Sequence, residues 1–308
     1  MTVCRFASVL VVVGLVGWVK VAVATGEGTG LPTEHLTIGF TETAFLGLSR
    51  ADVEAGYRAL AKAVGERRGY NIVARMQSFQ GMEDMDGILA EPSARMLALN
   101  SWVFLEMNRD HFTPKFIGAV DGEVGRTYVV ITQKGKGLDG LSALRGEEVI
   151  VFELANATLG RYWLEVLLGE RGLGRRDTYF SGVRYVNRPS LAVLPVFFGK
   201  AAAAVVDRSG FDLMVEMNPQ VGRELQIVAE SEVLVDGVIV LRNDDWPEGS
   251  YREDLIRTLG EFHVEPAGAQ ILTFFKTDRL IPYEENHMDS VRRLKAIYEQ
   301  IEPESLKP

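Results

Sequence analysis

Cysteine is almost missing from this 308-residue chain, with Cys4 the only one. No apolar segment precedes it, as a lipid-anchored export signal would require, and no intrachain disulfide can form. A chain of this length buries enough core to do without disulfides even in an oxidising compartment. Histidine is nearly as scarce: His35, His111, His263 and His287 are scattered, and none sits in a His-Glu-x-x-His or Cys/His pattern. They read as surface or capping residues rather than metal ligands. No Gly-x-Ser-x-Gly elbow exists, and the serine nearest an acid, in "VVDRSGFD", has no histidine close by in sequence. Triads assemble from distant parts of a chain, so missing motifs do not exclude catalysis, but nothing favours it. The expectation is a protein that is not an enzyme and needs no metal or cofactor.

Positive charge is also short, with 33 basic residues against 42 acidic ones and a net charge of -9. Nucleic acid is therefore not an expected partner, because its affinity rests on phosphate neutralisation by Lys and Arg. Long apolar runs are limited to "ASVLVVVGLVGWV" near the N-terminus, between Arg5 and Lys20. That run is shorter than the roughly 20 residues a membrane-spanning helix needs. The small-x-small pattern Ala22-Val23-Ala24 follows it, so residues 1–24 read as an export signal removed on secretion. An uncleaved membrane anchor is the competing reading. Cleavage takes away Arg5 and Lys20 and no acid, so 33 basic residues become 31 against 42 and the net charge moves from -9 to -11. A bacterial periplasm fits.

Residues 25–34, rich in Gly and Thr, read as a flexible leader, not a phosphate-cradling loop, because no strand precedes them. A strand "HLTIGFTET" and a helix with Val53, Tyr57, Leu60, Ala61 and Val64 at helical spacing come next, Ser49 serving as N-cap. "YNIVARMQ", "RMLALN" and "PKFIGAVD" continue as strands, with a short helix in "GMEDMDGILAEPS". The pattern restarts after Gly125 with strands "RTYVVITQ", "EEVIVFE", "SGVRYVN" and "AAAAVVD" and helices "TLGRYWLEVLLGERGL" and "SLAVLPVFFGK". "EVLVDGVIVLRND" reads as one more long strand, and the remainder as helical. Strands alternating with helices predict an α/β fold with parallel pairing.

In open α/β sheets ligands bind outside the carboxyl ends of the strands. Three turns there carry hydrogen-bonding side chains: Thr41-Glu42-Thr43, Asn100-Ser101-Trp102 and Asn156-Ala157-Thr158. At the third, unpaired N–H groups and the positive end of the following helix suit a small oxyanion. Alternatively, Asn156 or Thr158 simply caps that helix.

The order of elements resembles the phosphate-, phosphite- and phosphonate-binding periplasmic proteins of ABC importers over residues 36–285. The similarity is carried by "GLDGLSALRGEEVIVFELANATLGRYWLEVLLGERGL", by "LAVLPVFFGKAAAAVVDRSGFDLM" and by the turn Glu265-Pro266-Ala267-Gly268. Where that family offers several consecutive hydroxyls in its anion turn, this chain keeps Thr158 and has Asn156 and Ala157; where it places a tyrosine near the third strand, this chain has Asn100-Ser101-Trp102. The resemblance implies a two-lobed type 2 periplasmic binding protein, each lobe a mostly parallel sheet flanked by helices, the two joined by crossover strands. Lobe I would comprise residues 35–127 and 237–308, lobe II residues 128–236, with crossings near Tyr128–Thr132 and Asp236–Leu241.

It also implies a cleft where Thr41, Glu42, Asn100, Ser101, Trp102, Asn156, Ala157, Thr158 and Asp207 face a small anionic solute, with Arg208 or Arg188 supplying positive charge. Asp207 and Glu42 would accept hydrogen bonds from a protonated phosphonate or a ligand amine. The alternatives are that Asp207 caps its following helix and Trp102 packs in the core; Tyr162 and Trp163 read as packing against the sheet. The partner would be an ABC permease, or a sensor kinase at the inner membrane, and the protein a monomer.

Overall fold

A computed structural model describes residues 30–42, 49–80, 82–153, 159–247, 249–275 and 277–301. The expected signal segment 1–24 and the turn Asn156-Ala157-Thr158 lie outside them. The first half of the fold runs β1 (Thr33–Thr41), α1 (Arg50–Arg68), β2 (Asn71–Phe79), α2 (Met82–Leu89), β3 (Ala94–Asn100), α3 (Ser101–Glu106), β4 (Phe112–Val120) and β5 (Glu123–Val124). The second runs β6 (Tyr128–Gln133), β7 (Glu148–Phe152), α4 (Leu159–Glu170), α5 (Arg176–Tyr179), β8 (Gly182–Val186), α6 (Pro189–Phe197), β9 (Ala203–Asp207), α7 (Arg208–Met217), α8 (Pro219–Glu224) and β10 (Leu225–Glu230). The chain then returns through β11 (Gly237–Arg242), α9 (Tyr251–Gly260), α10 (Pro266–Phe274), β12 (Arg279–Pro282) and α11 (Asp289–Ile301). The expected leader 25–34 is shortened by this, since Thr33 and Glu34 already pair with Asn71 and Ile72 in the first sheet.

Local chemistry accounts for the best-defined elements. α1 buries Val53, Tyr57, Leu60, Ala61 and Val64 along one stripe, as the 3.6-residue spacing requires. Ser49 Oγ accepts from the Asp52 N–H at 3.4 Å, and Gly69, with φ 83°, ends the helix in the left-handed conformation that glycine adopts without strain. The central strands of the second half are continuous apolar runs, the pattern of strands buried on both faces.

Among the described residues there are two sheets. One has seven strands in the order β12-β4-β11-β3-β1-β2, with β5 against β4; the other has five, in the order β10-β6-β9-β7-β8. Both are mixed rather than mostly parallel. β1 pairs parallel with β2 and β3, and β7 with β8 and β9, but β11 runs antiparallel to β3 and β4, and β6 antiparallel to β9 and β10. The cause is the pair of crossings: strands next to each crossing enter their sheet against the direction set by the helix-linked strands.

The crossings themselves fall just ahead of the segments expected for them. Tyr128–Gln133 and Gly237–Arg242 lie wholly within their own sheets, and the links are residues 125–127 and 231–236. These two links hold each other through a bridge in which the Arg126 N–H donates to Leu234 O at 2.8 Å and the Leu234 N–H to Arg126 O at 2.9 Å. Pro32–Pro308 forms one compact unit. α11 follows the first sheet's β12, yet it packs against α4 of the second half as well as α3 of the first. No helix among the described residues is long and apolar enough to cross a membrane.

Candidate functional site

The strand ends of the first sheet are tied to the return crossing. Thr41, closing β1 and 2% exposed, accepts the Asn100 N–H on its Oγ1 at 3.3 Å. Asn100 closes β3 and caps α3, its Oδ1 accepting the Val103 N–H at 2.8 Å. Ser101, fully buried, donates its N–H to Asp236 O at 2.9 Å and its hydroxyl to Val235 O. Three of the expected ligand residues are thus already partnered within the protein. Trp102 is buried and stacks on Tyr162 of α4, with ring centroids 3.9 Å apart and planes 9° from parallel. Tyr298 of α11 meets both rings edge-on. Of the two readings for Trp102, the packed one holds, but it packs across the two halves and takes Tyr162 with it.

A buried charge cluster sits at the crossings. Arg126 Nε donates to Asp236 Oδ2, and Arg126 Nη1 lies 3.7 Å from Asp207 Oδ2. Tyr128 OH donates to Asp236 Oδ1 at 2.9 Å. Burial pushes the Asp236 carboxyl up to about 6, although Arg126 pulls the other way. Burial and then Asp236 raise the Tyr128 hydroxyl well above its usual range. For Arg126, burial opposes the charged form, but Asp236, Tyr128 and Asp207 outweigh it and hold the guanidinium charged. Gly160, in the first turn of α4, lies against the Tyr128 ring so closely that a Cβ there would come within 2.8 Å of it. The cluster therefore lies where both crossings, the end of β9 and the start of α4 meet.

Asp207 is the N-cap of α7: its Oδ2 accepts from the Gly210 N–H at 3.1 Å and from Ser209 Oγ at 2.6 Å. The capping alternative holds for it; the same Oδ2 lies 3.7 Å from Arg126 Nη1, while Oδ1 is buried without a hydrogen-bond partner among the described residues. Arg208, expected to meet the ligand, instead grips Asp212 at 2.9 Å and Glu230 at 3.1 Å on the surface. The physical reason is direction, since its side chain leaves the first turn of α7 toward those two acids. Glu42 is exposed just past β1, and Arg188 is exposed ahead of α6.

Between these strand ends and the charge cluster lies a cavity of about 160 Å³. Its polar end is formed by Thr41, Asn100, Glu123, Arg126 and Asp236. Its body runs over one face of the seven-stranded sheet, along Phe40, Met96, Ala98 and Ile239, and under α1, α9 and α10 through Tyr57, Leu259, Ile271 and Phe275. The structure thus brings Thr41 and Asn100 together at one cavity and adds Arg126 and Asp236. Those two were missed as site residues because 110 positions separate them and neither belongs to a short motif. The available signal was an arginine and an aspartate each placed immediately ahead of an apolar strand.

A family model described as "ABC transporter, phosphonate, periplasmic substrate-binding protein" matches residues 43–288. No curated protein sequence matches the chain significantly. Among solved structures, a Xanthomonas citri protein bound to chloride ion is 15% identical, with TM-score 0.63 and coverage of 87% of this chain and 98% of its own. A binding protein component of an ABC phosphonate transporter from Pseudomonas aeruginosa is 13% identical, with TM-score 0.55 and 87% of both chains covered. The Prochlorococcus marinus protein PhnD1, in complex with methylphosphonate, is 12% identical, with TM-score 0.55 and coverage of 85% and 97%. At these identities the likeness is one of fold: two helix-flanked sheets joined by two crossings.

Proposed function

The chain belongs to the family of periplasmic phosphonate-binding proteins of ABC transporters, and from that premise we propose that it captures a small phosphonate-like oxyanion at the Arg126 end of the cavity. The family makes it a substrate-binding protein of the periplasm that serves an ABC permease, and points away from catalysis. The observation that carries the ligand assignment is Arg126, a guanidinium held charged at the polar end of a 160 Å³ cavity, beside the strand ends Thr41 and Asn100. Guanidinium groups match phosphonate oxygens in geometry as well as charge.

Two carboxylates beside Arg126 oppose an anion unless one is neutralised. Asp236, with its carboxyl near 6, is the one that takes up a proton as the anion arrives. In this reading the half built on residues 35–127 and 237–308 supplies Thr41, Asn100 and Arg126, and the half built on 128–236 supplies Asn156, Ala157 and Thr158. The two halves close about the crossings, and Thr158 contributes the anion turn. Residues 1–24 are removed on export, and the mature protein acts as a monomer.

Methylphosphonate, the compound held by the Prochlorococcus protein of the same fold, is the first ligand to try. Thermal unfolding should show it stabilising the protein by about 2.7 kcal/mol at a hundred times its Kd, and more at pH 5.5 than at pH 7.5 when compared at one concentration. Stabilisation by small carboxylates or sulfate, with none by phosphate, phosphite or phosphonates, would remove the phosphorus ligand.

A further inference from the structure

Protein interiors are packed to crystal-like density, and an apolar void of this size next to a charged group departs from that rule. On the sheet face over β1, β3 and β11, Phe40 and Met96 are buried, whereas Ala98 and Ile239 are only half-buried in mid-sheet. Ala98 puts a single methyl group where its same-face neighbour two residues earlier, Met96, puts a long side chain. The cavity's apolar body is continuous with the polar end at Arg126, so one molecule can occupy both. A volume of about 160 Å³ is close to that of apolar protein cavities known to hold benzene, roughly 150 Å³.

We propose that this cavity takes the apolar substituent of the solute, so that the protein selects organic phosphonates carrying an aromatic ring or a short alkyl chain, with the oxyanion head at Arg126. This rests on the oxyanion reading above and sharpens it. Inorganic phosphate and methylphosphonate leave the body of the cavity unfilled, and each methylene added to the substituent should tighten binding about fourfold. The gain should stop near six carbons, where the cavity is full.

The test is calorimetric titration of the wild-type protein with methyl-, propyl-, hexyl-, decyl- and phenylphosphonate, repeated with Ala98→Ile. Hexylphosphonate should bind on the order of a thousandfold, and phenylphosphonate on the order of a hundredfold, more tightly than methylphosphonate, with no further gain for decyl. In Ala98→Ile, which occupies about half of the cavity with a strand-favouring side chain, the gain from methyl- to hexylphosphonate should shrink at least about tenfold. A flat series in the wild-type protein, methylphosphonate binding included, overturns the substituent pocket and leaves the oxyanion reading standing. If no member of the series binds, the oxyanion reading fails and this inference with it. The wild-type series decides the matter even if Ala98→Ile does not fold.

Discussion

In the five-stranded sheet, Val129–Ile131, Val149–Val151 and Ala204–Val206 form three adjacent runs that solvent does not reach. In the seven-stranded sheet, Ala98 and Ile239 stand half-buried over the cavity while their neighbours Met96 and Leu97 are closed off. A pocket of about 160 Å³ left unpacked over that sheet forgoes the dispersion contacts that a filled core makes. One half of the molecule thus gives up packing that the other keeps, and it does so beside the strand ends Thr41 and Asn100. Ligand sites are where such a loss is tolerated, because the ligand restores it.

The joint between the two halves should be the most sensitive place to cut. Asp236→Ala leaves the Tyr128 hydroxyl without its acceptor and the Arg126 guanidinium with only Asp207, 3.7 Å away, and should lower stability by about 3 kcal/mol in urea unfolding. A loss below about 1 kcal/mol would mean that water already solvates the cluster. The contrast between the sheets is tested next by a matched pair. Ile131→Ala, in the filled sheet, should cost about 2–5 kcal/mol. Ile239→Ala should cost clearly less, because its side chain already borders empty space. Equal losses would show that the void is packed in solution and would erase the difference between the halves.

Much of the fold was legible in the sequence because the signals were local. The stripe Val53-Tyr57-Leu60-Ala61-Val64 marked α1, and the apolar runs around Ile150 and Val205 marked the buried strands. β10 and β12 were not read as strands: Leu225–Glu230 mixes polar and apolar residues without strict alternation, and Arg279–Pro282 is short and ends in proline. The strand "YVVIT" is legible as a buried strand of the second half, but the short link ahead of it, residues 125–127, carries no apolar pattern, so the crossing expected near Tyr128–Thr132 lies a few residues earlier.

The site was less legible for the same reason. Thr41 and Asn100 follow from the rule that ligands sit at strand ends, but Ser101, Trp102 and Asp207 obey that rule too and are each engaged by other parts of the protein. Arg208 has the right chemistry and points elsewhere. Arg126 and Asp236 become partners only when the two crossings lie side by side, which no local pattern encodes.

The most direct measurement is calorimetric titration of methylphosphonate into the wild-type protein and into Arg126→Gln, each first shown by circular dichroism to be folded. Losing a charge-assisted hydrogen bond to the anion should weaken binding about 10- to 100-fold, corresponding to about 1.5–3 kcal/mol. Equal affinity in the two proteins would contradict an oxyanion seat at Arg126.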